Sequence, residues 1–184
     1  MFKHSTAFPR VALLSIALAC GGVAHAQMKD SEYAAARDRV EAEYKTAKQA
    51  CDRLSGNAKD VCQAEAKGQE KVAKAELQFR RSGRAEDQRK TMLAKADAAY
   101  EVAKERCDDF KGNERDVCMK EAKAAETRMK NDAKQVGASG KAQESAAKDQ
   151  RDAEYKVAIE RCDSMSGAAK DECQNAARAR FGKS

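Results

Sequence analysis

Three stretches of this chain align without a gap around paired cysteines: Tyr44 to Cys62, Tyr100 to Cys118 and Tyr155 to Cys173. In each, a tyrosine stands seven residues before the first cysteine, an aspartate follows that cysteine directly, a glycine comes five after it and the second cysteine eleven after it. The period is 56 and then 55 residues, the mark of a repeated supersecondary unit. The spacing restricts the geometry. On one unbroken helix the paired sulfurs would stand about 16 Å apart along the axis, beyond disulfide reach. A chain that reverses near Gly56, Gly112 and Gly167 brings them together. The expected fold is all-α: three tandem antiparallel helical hairpins, coiled-coil-like, each closed by one Cys-x10-Cys disulfide. The bonds expected are Cys51–Cys62, Cys107–Cys118 and Cys162–Cys173.

Composition explains why such bonds are needed. Residues 27–184 contain only 14 Leu, Ile, Val and Phe, a content at which a chain without other support stays disordered. The filler is Ala, Glu, Lys, Arg and Gln, strong helix formers that no proline interrupts after Pro9. Long helices around a thin core follow. Each bond closes a short loop and contributes roughly 3 kcal/mol, so that three are comparable with the whole stability of an ordinary domain, on the order of 5–15 kcal/mol.

Apolar residues recur at steps of three and four. The stripes are Val40, Tyr44, Ala47, Cys51, Leu54 in the first unit and Leu93, Ala96, Tyr100, Ala103, Cys107, Phe110 in the second. The third gives only Tyr155, Ala158, Cys162 and Met165, because Lys148 and Arg151 occupy the upstream positions. The returning helix of the second unit gives Cys118, Ala122, Ala125, Met129, Ala133 and Val136. Pairing the cysteines fixes the register. Ala47 then faces Ala66, Ala103 faces Ala122 and Ala158 faces Ala177, small against small, as the roughly 5.5 Å Cα separation of a disulfide demands. One layer further, Tyr44 faces Gln69, Tyr100 faces Ala125 and Tyr155 faces Arg180. Leu54, Phe110 and Met165 close the stripes, the glycines end the first helices, and Asn57 and Asn113 cap the second ones, with Asp60 and Asp116 in the first turn. The third unit has Ala168 at the cap position, so its turn is expected to be weaker, or Ser166 caps instead.

The first residues read as a targeting segment. Lys3 and Arg10 precede a short apolar run from Val11 to Ala19, and Ala24-His25-Ala26 is a small-x-small cleavage site. Residues 1–26 are therefore expected to leave as a signal peptide and the chain to act in the periplasm. Lipid attachment at Cys20 is the lesser alternative, since Ala17 stands where a lipoprotein signal usually has leucine. No later stretch is apolar enough to span a bilayer. The hairpin units expected are residues 27–83, 84–138 and 139–184, divided at Ser82-Gly83 and at Gly137 to Gly140.

Cleavage would remove both histidines, His4 and His25, and leave 34 basic against 30 acidic residues, a net charge of +4. That is a mixed surface, without the dense basic patch or interleaved aromatics of a nucleic-acid binder. With no histidine left, no serine or cysteine has an imidazole base, and each hairpin offers only two thiols where zinc takes four ligands. The aspartates around the turns do not follow a calcium-loop spacing. No Cys-x-x-Cys pair of the redox type occurs. No catalytic, cofactor-binding or metal-ligating residue is assigned, and no cofactor is implied. The six cysteines are structural.

The Ala-, Lys- and Glu-rich stretches Ala64 to Leu77 and Glu121 to Lys134 resemble the periplasmic helical stalk of TolA-like cell-envelope proteins. The resemblance implies a helical envelope protein. The chain departs from that pattern in having three cysteine hairpins, and no functional residue carries over. The paired cysteines also look like those of the twin Cys-x9-Cys helical proteins of mitochondria, but here the gap is ten and a turn interrupts it. The expected function is that of a non-enzymatic envelope scaffold, spacer or chaperone-like protein. Its partner would be a protein or envelope component, with a second copy of the chain also admitted. The alternative is a thiol-redox or metal-handling protein using the cysteine pairs.

Overall fold

The computed structural model describes residues 28–136 and 140–183. The expected leader, with Cys20, and the segment 137–139 at the second unit boundary lie outside the described residues. Six helices follow one another: α1 (Asp30–Cys51), α2 (Gly56–Ser82), α3 (Ala85–Cys107), α4 (Gly112–Gln135), α5 (Gly140–Cys162) and α6 (Gly167–Phe181). No strand occurs among the described residues.

The hairpins α1–α2, α3–α4 and α5–α6 are each closed by the expected disulfide, with Cα separations of 5.6, 5.6 and 5.8 Å. The register also holds in the first unit, where Tyr44, Ala47, Ala66 and Gln69 line one narrow groove between α1 and α2. In the third unit Tyr155 meets Phe181 edge-on, with ring centroids 6.0 Å apart, one residue beyond the expected Arg180. In the second, the ammonium of Lys123 stands 5.0 Å from the Tyr100 ring centroid.

The turns differ from the sequence reading. The first helices stop at the cysteine, and in the first two units the next three residues fold back with N–H groups donating to carbonyls three positions earlier, as Asp163 and Met165 do in the third. Gly56, Gly112 and Gly167 do adopt positive φ, 55–57°, but each opens the second helix instead of ending the first. The N-cap residues are accordingly Ser55, Lys111 and Ser166, none with a side-chain cap hydrogen bond. Asn57 and Asn113 lie inside the first turn. Asp60 and Asp116 lie just past it. Leu54, Phe110 and Met165 consequently leave the helical stripe and stand half exposed in the turns.

The hairpins do not string out. α2 packs along α3 and α4 along α5 as extensively as the helices within a hairpin. Among the described residues every helix packs only on its neighbours in the chain, which makes the fold a single layer of six helices, side by side and antiparallel. Inner helices thus need two buried stripes. This corrects Ala125, which is exposed, whereas Ala124, facing the second seam, is buried. Gly68 shows how close the α2–α3 seam is: a Cβ there would lie 2.9 Å from that of Ala98.

Candidate interaction surface

Because the helices alternate in direction, all three disulfide turns fall on one edge of the layer. Each turn is built alike. The aspartate after the first cysteine pairs with a basic residue three before the second: Asp52 with Lys59 at 3.2 Å, Asp108 with Arg115 at 2.7 Å and Asp163 with Lys170 at 3.0 Å. Each pair straddles the turn and holds its two stems together outside the sulfur bridge. Cys51, Cys107 and Cys162 are fully buried, and their partners are partly covered. Thiol–disulfide exchange needs access to a sulfur, so this packing works against attack on three of the six.

Neighbouring turns are tied by a second repeated pair. Arg106, just before the first cysteine of the second hairpin, meets Glu65, three after the second cysteine of the first hairpin, at 2.6 Å. Arg161 meets Glu121 at the equivalent place one repeat on. The outward-facing equivalents are both alanine: Ala50 on α1 and Ala176 on α6, each exposed. The coupling residues therefore occur where a neighbouring hairpin exists and are absent at the two ends of the layer.

Beside each of these pairs runs an open groove. The first, about 560 Å³, lies between α2 and α3 and is walled by Gly68, Val72, Ala98, Val102 and Ala103. The second, about 290 Å³, lies at the equivalent position between α4 and α5, with Ala124, Val157 and Ala158. Where the first groove has Val72 and Ala99, the second has Arg128 and Glu154, whose charged groups lie 3.6 Å apart. An apolar pair in one repeat is replaced by an ion pair in the next.

No family model, curated protein or solved structure matches this chain.

Charged groups also cross the layer. Asp97 on α3 accepts hydrogen bonds from Lys71 on α2 at 2.8 Å and pairs with Lys130 on α4 at 2.9 Å. Lys130 in turn meets Glu126, buried on α4, at 2.7 Å, and Lys123 meets the same carboxylate at 2.6 Å. Burial pushes the Asp97 and Glu126 carboxyls up, but the lysines outweigh it and hold both below their ordinary values. At the opposite edge, where α2 turns into α3, Asp87 is buried. The Ser82 hydroxyl donates to its Oδ2 at 2.6 Å, and Arg84 Nε and Nη2 donate to the same oxygen at 3.0 and 2.9 Å. Hydrogen bonds from Ser82 and then Arg84 hold the Asp87 carboxyl down at about 2. These shifts stabilise the ionised form. They suit anchoring, and they run opposite to the raised value that a general acid requires near neutral pH.

The six sequence-assigned cysteines are thus paired as expected. The ion pairs around them also follow the repeat: Asp52, Lys59 and Arg106 with their equivalents stand inside the aligned stretches, and Glu65 and Glu121 lie three residues beyond them. Asp87 had a weaker signal: an acid at the third position of a helix that begins just after Ser82-Gly83. Among the described residues no helix is long and apolar enough to cross a membrane. Three intramolecular disulfides belong to a chain that matures in an oxidising environment.

Proposed function

We propose that this chain is a non-enzymatic protein of the periplasm or cell envelope, serving as a scaffold, spacer or chaperone-like binder for a protein or envelope partner. The observation that supports it is the single-layer packing, in which every helix touches only its chain neighbours. A layer one helix thick leaves both broad faces and the disulfide edge open to partners. The largest hollows described are grooves on those faces, and many of the charged groups along them are held in ion pairs, Glu65 with Arg106 and Lys71 with Asp97 among them. That is the surface of a binding module more than of a site that surrounds a small molecule. The TolA-like composition and the targeting segment agree with an envelope location. Chemical cross-linking in intact cells, followed by mass spectrometry, tests the reading. The expected product joins lysines of the layer to an envelope component, with all three intrahairpin bonds intact. Free thiols or bound metal in protein taken from its native compartment would favour the thiol-redox or metal-handling alternative instead.

A further inference from the structure

Isolated apolar side chains on a surface are ordinary. Here the large apolar residues that are exposed among the described residues are Leu54, Phe110 and Met165, at 44, 46 and 46 %. They occupy one position of the repeat, three after the first cysteine, and they lie in a row along one edge. The side chain changes from leucine to phenylalanine to methionine while the exposure stays constant. A seam position would be under pressure to keep its shape. A row of contact points need only keep its place.

The charge of this edge is distinct from that of the whole. The three segments between paired cysteines hold nine acidic and five basic residues, against the basic balance of the full chain. One basic residue in each turn is already engaged by the aspartate after the first cysteine. Asp60, Asp116 and Asp171 stand exposed at equivalent positions, two before the second cysteine. An edge that is apolar and net acidic repels anionic lipid and favours a partner that is apolar and basic.

Adjacent turns are two helices apart, and at 8–10 Å per helix neighbouring apolar points stand about 16–20 Å apart. An extended polypeptide rises about 3.3 Å per residue, so it covers that distance in about five to six residues. The packing of α2 on α3 and of α4 on α5 sets each turn beside the next at a constant spacing, and the Arg106–Glu65 and Arg161–Glu121 pairs bridge them.

We propose that the disulfide edge binds extended, basic polypeptide segments. Leu54, Phe110 and Met165 receive apolar side chains about five to six residues apart, and Asp60, Asp116 and Asp171 receive the lysines or arginines between them. This rests on the reading of the chain as a binding protein and names the edge and the partner chemistry. Three weak contacts on one rigid row act together, so affinity depends on their spacing as well as on their number.

The test uses the oxidised protein and a fluorescein-labelled peptide of about fifteen residues, its leucines about six apart with lysines between, followed by fluorescence anisotropy. Binding is expected, and the L54S/F110S/M165S variant should weaken it about tenfold or more. Circular dichroism must show that variant as helical as the parent, and D60N/D116N/D171N provides a second variant that leaves the apolar row intact. A peptide with glutamates for lysines, or with its leucines clustered, should bind about tenfold more weakly. Unchanged affinity in both variants, or equal binding of the acidic peptide, overturns the proposal. So does tip-dependent binding of phosphatidylcholine–phosphatidylglycerol vesicles in place of the peptide. Photo-cross-linkers placed at Phe110 and at Ala99 on the open face separate this from the broader reading. Capture in cells at Ala99 alone removes the edge and keeps the binding function, and capture at neither removes both.

Discussion

Asp87 is the residue on which the α2–α3 corner turns. Its carboxylate is buried and receives Ser82 and Arg84 on a single oxygen, while Lys90 approaches the other at 3.5 Å. The group titrates near 3.8 in an unfolded chain and at about 2 in the fold. A depressed carboxylate contributes stability that is fully present above the unfolded value and is lost as pH falls through the folded one. Melting temperatures of D87N should therefore lie several degrees below the parent at neutral pH and converge with it between pH 4 and 2. Parallel curves across that window would show that the carboxylate does not carry the corner. This residue was hard to read in advance. In the sequence Asp87 is one of 30 acidic residues, and only the burial that comes from packing α2 on α3 distinguishes it. The cysteines were legible because eleven residues and a glycine leave one geometry for a bond. The asparagine caps were not legible, since the turn makes Asn57 and Asn113 the second residues of their helices and gives the cap position to Ser55 and Lys111.

Among the helices, the seams within hairpins were legible and those between hairpins were not. A cysteine pair fixes which residues face each other across α1–α2, whereas nothing in the α2 sequence marks Gly68 as a contact until Ala98 is known to lie against it. The seam makes a sharp prediction. Replacing a helical glycine by alanine favours the helix by about 1 kcal/mol, but a Cβ 2.9 Å from that of Ala98 overpacks a backbone-close contact at a cost of roughly 1–3 kcal/mol. G68A should lose about 1 kcal/mol in denaturant melts, and G68A/A98G should recover part of it by reopening the space. Additive effects of the two substitutions would place the clash elsewhere. The last hairpin offers another test. α6 has 15 residues and packs only on α5, which is short for a helix to persist without tertiary support. Removing its staple with C162S/C173S should cost about 3 kcal/mol. Hydrogen exchange should then show residues 167–181 unprotected while α2, α3 and α4 keep their protection. Equal loss across all six helices would mean that the layer folds as one unit.

For the molecule as a whole, the single layer predicts a shape that a closed bundle would not have. Six helices abreast at 8–10 Å give a width of about 50 Å, against a height of about 40 Å and a thickness of about 10 Å. The radius of gyration of such a slab is about 19 Å, whereas a compact chain of this size has about 15–16 Å. Small-angle X-ray scattering that returns the smaller value would exclude the open layer. The thin core, read from composition, here acquires its physical reason: a slab has little interior, so alanine and ion pairs suffice where a globule would need leucine. The arginine and glutamate that join neighbouring turns are both present only in the middle hairpin, as Arg106 and Glu121, while the first and last each keep one and end in Ala50 and Ala176. Duplicating that middle hairpin in frame would therefore lengthen the row by one station with both of its pairs made, whereas duplicating either outer hairpin would leave an arginine or a glutamate facing alanine.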